Sequence, residues 1–341
     1  MIQTRKAELL DVVEILEDLP EYNVKHGERG AVVEVFDEPE EAYMVEFVDD
    51  SGTSSRIVDW VRPNQIININ TLAKEIFERG IDLLNGGRQL KAEKEFRRAF
   101  ESMPKYIGIL HNSMVKSFEG SSDWERGIEA MRLILRIDPQ FKPARNNLAI
   151  AFLNLGVQKA KEGDIDAATR LYYTALSVEA SQEIVSEIRR KLAAIYASLG
   201  VHAYKSGHFE ESLTQMGRAC AFDPNDNTRH NFGLAYAFLA ESLLAQGKLE
   251  KSIWCFESAE DTGLVLPEYL NNYGVALALS NRLDEAVHAF ERALELAPEN
   301  KVIQANLERA KNYDVAGFNT EELSAEFYPP PPMQSQDYVI A

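Results

Sequence analysis

Two kinds of hydrophobic pattern follow each other along the chain, and the first is typical of β-strands. Residues 11–16, 31–36 and 43–48 interleave Val, Ile and Phe with polar side chains, as strands with one buried face do. Two shorter strands are predicted near residues 56–60 and 65–67. Five short strands in roughly sixty residues predict a small SH3-like barrel, which closes its own edges and can fold unaided.

Turn residues separate these predicted strands. Gly27 and Gly30 bracket a predicted tight turn before the second strand, and residues 49–52 (DDSG) predict a hairpin turn after the third.

Three short stretches of this region carry a resemblance to a known family. They are residues 8–13 (ELLDVV), the GERG of 27–30 with the VVEV of 32–35, and Tyr43 to Phe47. Together they make nearly all of residues 5–67 similar to an uncharacterised bacterial family of small SH3-like domains. The resemblance implies a fold and carries no activity.

After these strands the chain repeats itself with a helical period. The clearest unit, residues 267–300, places Gly274 at its eighth position, Ala286 at the twentieth, Phe290 at the twenty-fourth and Pro298 at the thirty-second. Small residues at eight and twenty let two antiparallel helices approach closely, while the proline ends the second helix. The large residue at twenty-four is expected to fill the space toward the next hairpin. This spacing resembles a tetratricopeptide repeat.

The same signature recurs in five earlier units, and residues 301–311 then predict a solvating cap helix of the kind that terminal repeats need. The earlier units are recognised around Gly80, Gly127, Ala168, Ser212 and Ser252. The predicted fold is therefore mainly α: a tetratricopeptide-type α-α superhelical solenoid of about six hairpins, preceded by the small all-β SH3-like barrel.

Units three to five are predicted to have long first helices. Their inter-helix glycines, Gly163, Gly207 and Gly247, are 44 and 40 residues apart, and the apolar pattern of each first helix repeats seven residues early. Seven residues make two helical turns, so the added length keeps the same face inward. We expect first helices of roughly 20–25 residues in these units.

Composition and charge narrow the class of protein. The 341 residues are 45% hydrophobic and 26% charged, as in a folded soluble protein. The formal net charge of −18 is concentrated at the two ends, which disfavours direct binding of nucleic acid. The chain has two cysteines with no paired spacing, and it shows neither a signal peptide nor a membrane span. These features predict a cytoplasmic protein with no membrane attachment.

Candidate chemistry is confined to binding. The sequence contains no glycine-rich phosphate loop, nucleophile elbow or paired-carboxylate arrangement, and its histidines have no ligand-like spacing. We therefore predict a non-enzymatic protein that needs no metal or other cofactor.

The resemblance to tetratricopeptide repeats implies that first helices line a concave face on which peptides bind. Three successive positions of these helices carry cationic and amide side chains that should form a ladder. They are Arg145, Arg189 and Arg229; then Asn146, Arg190, His230 and Asn271; then Asn147, Lys191, Asn231 and Asn272. The alternative is structural: such asparagines often bond neighbouring repeats, and the arginines could pair with acids on the preceding turn.

The sequence thus predicts three regions and one leading function. Residues 1–70 form the barrel, 71–311 the repeats and cap helix, and 312–341 an acidic tail with a four-proline run, either disordered or a docking peptide. The leading hypothesis is a scaffold or adaptor that binds a protein or peptide partner, and an acidic segment of that partner is one candidate ligand. The alternatives are a structural or self-assembling component, or a regulator whose acidic barrel or tail occupies the ladder until displaced.

Overall fold

The computed structural model describes residues 6–49, 55–118, 123–312, 317–323 and 325–328. These residues fall into two compact units, one that ends at Leu148 and one that begins at Ala149. Each unit is described by itself below.

The first unit opens with a five-stranded antiparallel sheet of order β4-β3-β2-β1-β5. Its strands are β1 (Val12–Ile15), β2 (Arg29–Phe36), β3 (Ala42–Val48), β4 (Ser55–Val61) and β5 (Ile66–Asn68). Alternate residues point inward, and Val13, Val32, Val45 and Val58 are completely buried. The five predicted strands are confirmed, and β1 pairs with both β2 and the last strand.

One turn prediction is wrong. Gly27 does lie in a turn, with φ of +84°, but Gly30 lies inside β2, where it pairs with Val13. A Cβ on Gly30 would lie 2.6 Å from the Val45 side chain, so this glycine permits close packing on β3. Residues 50–52 of the predicted hairpin turn lie outside the described residues.

The remaining elements of the described chain are helices. They are α1 (Ile69–Asn85), α2 (Gln89–Ser102), α3 (Lys105–Phe118), α4 (Trp124–Ile137), α5 (Lys142–Lys161), α6 (Ile165–Leu176), α7 (Gln182–Lys205), α8 (Phe209–Phe222), α9 (Asp226–Ala245), α10 (Leu249–Asp261), α11 (Pro267–Leu279), α12 (Leu283–Leu296) and α13 (Lys301–Lys311). Twelve of them form the six predicted hairpins and α13 is the predicted cap helix, so the repeat architecture is confirmed.

The long first helices are confirmed as well. Helices α5, α7 and α9 contain 20, 24 and 20 residues, whereas α11 contains 13. A glycine with positive φ stands two residues after the end of each of the three long helices: Gly163, Gly207 and Gly247. Asn281 takes that role after α11, with φ of +62°. These left-handed residues let the chain leave one helix and begin the next within a few residues.

Close contact inside four of the hairpins, α1–α2, α5–α6, α7–α8 and α11–α12, depends on a glycine beneath a large side chain. A Cβ on Gly156 would lie 2.5 Å from the ring of Tyr172, and one on Gly274 would lie 2.7 Å from the ring of Phe290. Both rings are completely buried. The large residue at position twenty-four therefore covers the glycine of its own hairpin, whereas the sequence analysis expected it to fill the space toward the next hairpin.

The sheet and the first helical hairpin share contacts within the first unit. Asn68 caps α1 by accepting from the backbone N–H of Thr71, and its Nδ2 donates to Asp11 next to β1 at 2.6 Å. Arg29 of β2 donates to the carbonyl oxygen of Ser102 at the end of α2, at 3.2 Å. These polar contacts join the sheet to the first repeat.

The glycine contact yields a stability prediction. The substitution Gly274→Ala should lower the free energy of unfolding by about 1–3 kcal/mol, because the new methyl group would overlap the ring of Phe290. The matched control is Gly108→Ala in α3, where no atom lies within 4 Å of the added carbon. Helix propensity should make that control neutral or more stable by up to about 1 kcal/mol. Chemical denaturation measures both, and equal effects of the two substitutions would contradict the packing argument.

Candidate functional site

The described part of the C-terminal tail lies against the repeats of the second unit. We define the tail segment as residues 317–323 and 325–328. It begins at Gly317, whose φ is +78°, and continues without helix or strand along α13, α11 and α9. The sequence analysis proposed either a disordered or a docking tail. The proline run of that prediction, residues 329–332, lies outside the described residues.

Asn306 of α13 and Asn272 of α11 hold the beginning of the tail segment through its backbone. Asn306 Nδ2 donates to the carbonyl oxygen of Asn319 at 2.7 Å, and its Oδ1 accepts from the N–H of the same residue at 3.1 Å. Asn272 pairs with Glu321 in the same way, at 2.6 Å and 2.9 Å. Asn319 and Glu321 are two residues apart, so in an extended chain their amide groups face the same side.

Asn231 of α9 makes the third paired contact. Its Nδ2 donates to the carbonyl oxygen of Tyr328 at 2.9 Å, and its Oδ1 accepts from the N–H of Tyr328 at 2.7 Å. A side-chain amide offers one acceptor and two donors, so it can replace a neighbouring β-strand for a single residue. The tail segment therefore passes the first helices in the reverse of their chain order, from α13 to α9.

Asn271 joins the contacts of Asn272 and Asn306 into one network. It donates to Asn272 Oδ1 at 3.0 Å and to the carbonyl oxygen of Asn319 at 3.2 Å, and it accepts from Asn306 Nδ2 at 2.8 Å. We call Asn231, Asn271, Asn272 and Asn306 the amide ladder. Its members are at most 4% exposed, and each makes hydrogen bonds from both its oxygen and its nitrogen. Hydrogen bonds to neighbouring side chains also orient the amides of Asn271, Asn272 and Asn306.

Apolar side chains of the tail segment pack between the hydrogen-bonded residues. Phe318 stacks on Phe290 with ring centroids 6.0 Å apart, and Leu323 is 7% exposed. Phe327 contacts the rings of Tyr204 and Phe238 at centroid distances of 5.1 Å and 5.5 Å. These contacts add hydrophobic burial to the backbone hydrogen bonds.

The two neighbouring glutamates of the tail segment have different surroundings. Both carboxylate oxygens of Glu321 accept from Asn300 Nδ2, at 3.0 Å and 2.9 Å. Asn300 is the N-cap of α13, where the helix dipole favours negative charge. Glu322 is exposed and interacts repulsively with Glu241 of α9.

Glu241 lies beneath the tail segment and accepts a hydrogen bond from Asn272. The pKa of Glu241 is raised to about 7, mainly by burial and to a smaller degree by the nearby Glu322 and Glu268, while the hydrogen bond from Asn272 opposes the rise. A cavity of 550 Å³ between α9, α11 and the tail segment is lined by Glu241, Asn272 and Glu322 among others. The carboxyl group of Glu241 therefore titrates near neutral pH at a position that the tail segment covers.

His230 contributes a second titratable group. Its ring lies 4.7 Å from the ring of Tyr328, centroid to centroid, and burial lowers the pKa of His230. The contact favours the neutral imidazole over the imidazolium ion.

Three of the cationic side chains predicted from the sequence make local contacts with their own surroundings. Arg145 donates to the carbonyl oxygen of Pro139 at 2.9 Å and 2.6 Å. Arg190 and Lys191 both pair with the buried Glu187, at 2.8 Å and 3.1 Å. These are local contacts of the kind that the structural alternative describes.

The other predicted positions lie in varied surroundings. Arg189 and Arg229 are exposed. In the first unit, Asn146 is half-buried and Asn147 is buried, with its Nδ2 lying 3.0 Å from Nε2 of His111. The structure thus brings Asn231, Asn271 and Asn272 to the tail segment, with His230 against Tyr328. That any of the predicted residues binds a partner stays a prediction.

Asn306 is the member of the ladder that the sequence analysis missed. It lies 34 residues after Asn272, one full repeat later, and so occupies the same position in the cap helix. Because that helix was assigned only a solvating role, its asparagine was not considered. Extending the repeat frame by one unit would have found it.

Among the described residues, no group of three or more His, Cys, Asp and Glu side chains is arranged to hold a metal ion. None of the helices in the described ranges is long and apolar enough to cross a membrane. Both cysteines are free thiols, and burial raises the pKa of Cys255 to about 11.

Two family models match the chain. Residues 9–67 match a domain of unknown function (DUF4926), and residues 267–300 match the tetratricopeptide repeat. The first match covers the five-stranded sheet, and the second covers the α11–α12 hairpin.

Similar proteins are found over the repeats. A peroxisomal targeting signal receptor of Candida albicans is 26% identical over 232 residues, which are 65% of this chain and 35% of that protein. The receptor of the same description from Saccharomyces cerevisiae is 25% identical over 222 residues, or 63% and 32%. The chain thus spans about a third of the length of these relatives.

Among solved structures, a tetratricopeptide repeat protein from Bacteroides fragilis aligns with 70% of this chain and 98% of its own, at 11% identity and a TM-score of 0.31. The family matches and the observed helices give one description of the chain. It combines a domain of the DUF4926 type at residues 9–67 with a tetratricopeptide-type array of helical hairpins, one of which, residues 267–300, matches the tetratricopeptide repeat itself.

Proposed function

We propose that the chain is a non-enzymatic adaptor that binds an extended segment of a partner protein along the amide ladder. Its own tail segment occupies the same place until the partner displaces it. The proposal combines the adaptor hypothesis with the hypothesis of a regulatory tail.

The paired hydrogen bonds of Asn231, Asn272 and Asn306 carry this proposal. All three bind only the backbone N–H and C=O of a tail residue, which every non-proline residue possesses. A partner segment in the same extended conformation would form the same bonds. Affinity would then come from the backbone, and selectivity from the side chains between the clamps.

The intramolecular contact supports the regulatory part of the proposal. A segment of the same chain is present at high effective concentration, so it competes with a partner even when its own contacts are modest. The sequence-based hypothesis placed the acidic barrel or tail over the cationic ladder, whereas we propose a tail held through amide groups. Two relatives of this chain are named receptors for a peroxisomal targeting signal. Their names are consistent with a ligand that is part of another protein.

Binding of a labelled peptide tests the proposal. The probe is a synthetic peptide with the sequence of residues 317–328, and the protein is a variant that ends at Asn312. The peptide should bind this variant more tightly than it binds the full chain, because the tail segment of the full chain competes. Fluorescence anisotropy measures both affinities, and equal affinity for the two proteins would contradict competition by the tail.

The amide ladder has its own prediction in the same assay. The substitution Asn272→Ala removes two hydrogen bonds to the peptide and should weaken binding by roughly tenfold or more. Thermal unfolding of the variant shows whether the fold persists.

Two substitutions in the peptide form a matched pair. Phe327→Ala should weaken binding because it loses the contacts with Tyr204 and Phe238, whereas Thr320→Ala at an exposed position should not. Binding that tolerates both Asn272→Ala and Phe327→Ala would refute this site.

Glu241 and His230 should make binding of an extended segment to the amide ladder depend on pH in opposite directions. The pKa of Glu241 is raised in the occupied state, so occupation takes up a proton, and it becomes less favourable as the pH rises from the ordinary glutamate range to about 7. The pKa of His230 is lowered in the occupied state, so occupation becomes less favourable as the pH falls below the ordinary histidine range. The carboxylates that raise the pKa of Glu241 belong to Glu322 and Glu268.

A variant separates these two effects. In His230→Gln, peptide affinity should fall by up to about tenfold per pH unit between pH 5 and 7 and become constant above pH 7. Adding Glu241→Gln, which keeps an acceptor for Asn272, should abolish that fall. Anisotropy titrations across this range provide the measurement. An affinity in His230→Gln that rises with pH would contradict the assigned role of Glu241.

A further inference from the structure

The tail segment shows which side chains the amide ladder accepts at each place, beyond the backbone that it holds. This inference rests on the proposed function, because it treats the tail segment as a model of the partner. Three positions have specific contacts, and one neighbouring position has an unfavourable contact.

The first specific position is that of Phe318. Its ring stacks on Phe290 with an interplanar angle of 13°, next to the backbone clamp that Asn306 makes with Asn319. Phe290 is itself fixed, because it is completely buried over Gly274. An aromatic ring therefore meets a preformed flat surface here.

The second specific position is that of Glu321. Asn300 donates to both oxygens of its carboxylate, while Asn272 holds its backbone on the other side. Asn300 also accepts from the N–H groups of Val302 and Ile303, which fixes its side chain at the start of α13. A carboxylate is thus read by an oriented amide at the positive end of a helix of 11 residues.

The position that follows disfavours negative charge. The side chain of Glu322 is exposed and lies near Glu241, with which it shares the lining of a cavity. Two ionised carboxylates at one cavity repel each other, whereas a neutral side chain would not be repelled. One residue later, Leu323 is buried against the second unit and supplies the third specific position.

We infer that the partner of this site is a protein segment of extended conformation with the order aromatic, any, any, acidic, uncharged, aliphatic. The tail segment matches this order at Phe318, Glu321 and Leu323 and departs from it at Glu322. Because of that departure, a matching partner binds more tightly than the tail itself and can displace it. The acidic residue is recognised singly, through Asn300, and a generally acidic segment is not favoured.

Charge-neutral substitutions in the full chain test this inference. Glu321→Gln should increase the rate of hydrogen exchange of the tail segment about threefold to tenfold, because it removes the charge that Asn300 and the helix α13 bind. Measured above pH 7, where the Glu241 carboxyl group is ionised, Glu322→Gln should decrease the rate, because it removes the repulsion between the two carboxylates. Exchange followed by mass spectrometry on the intact protein measures both, with Thr320→Ala as the neutral control.

The outcomes separate this inference from the proposed function. Opposite effects of the two glutamate substitutions support the inference, since a general repulsion within a chain of net charge −18 would give both the same sign. Equal effects in either direction, or no effect of Glu321→Gln, overturn it while exchange in the unsubstituted tail remains slow. A tail segment that exchanges as fast as an unfolded peptide in the unsubstituted protein would instead refute its place on the amide ladder, and with it the proposed regulation.

Discussion

The function proposed here depends on paired hydrogen bonds between buried asparagine side chains and an extended backbone. A buried amide is costly unless both its donor and its acceptor are satisfied. Asn271, Asn272 and Asn306 are completely buried in the presence of the tail segment, and backbone groups of Asn319 and Glu321 complete their hydrogen bonding. These side chains therefore favour an occupant that offers a free N–H and C=O, which an extended segment does.

The repeat architecture explains how these amides come to be in line. Successive helical hairpins stack on one another, so equivalent positions of successive first helices repeat along one face. Asn272 and Asn306 occupy one such position, a single repeat apart. Asn231 occupies the same position once the seven added residues of the long helix α9 are counted. The additional two turns keep the residue on the same face, because seven residues are close to a whole number of turns.

The sequence predicted the fold well because its signals are local, and it predicted the site only in part. The spacing of Gly274, Ala286 and Phe290 determines a hairpin without reference to distant residues, and the bounds of the cap helix follow from the same frame. The contact of the tail with the ladder joins residues up to 97 positions apart, so no local pattern reveals it. The roles of Arg145 and Lys191 were equally hidden, since a cation on a helix face looks the same whether it meets a partner or a nearby acid.

Residue-specific amide exchange in the unsubstituted protein tests the central claim most directly. The backbone N–H groups of Asn319, Glu321 and Tyr328, each bonded to an asparagine oxygen, should exchange slowly in an NMR experiment, whereas that of Thr320 should exchange faster because it alternates with them along an extended chain. Uniformly rapid exchange along residues 317–328 would show that the amide ladder does not hold the tail, and would contradict the account.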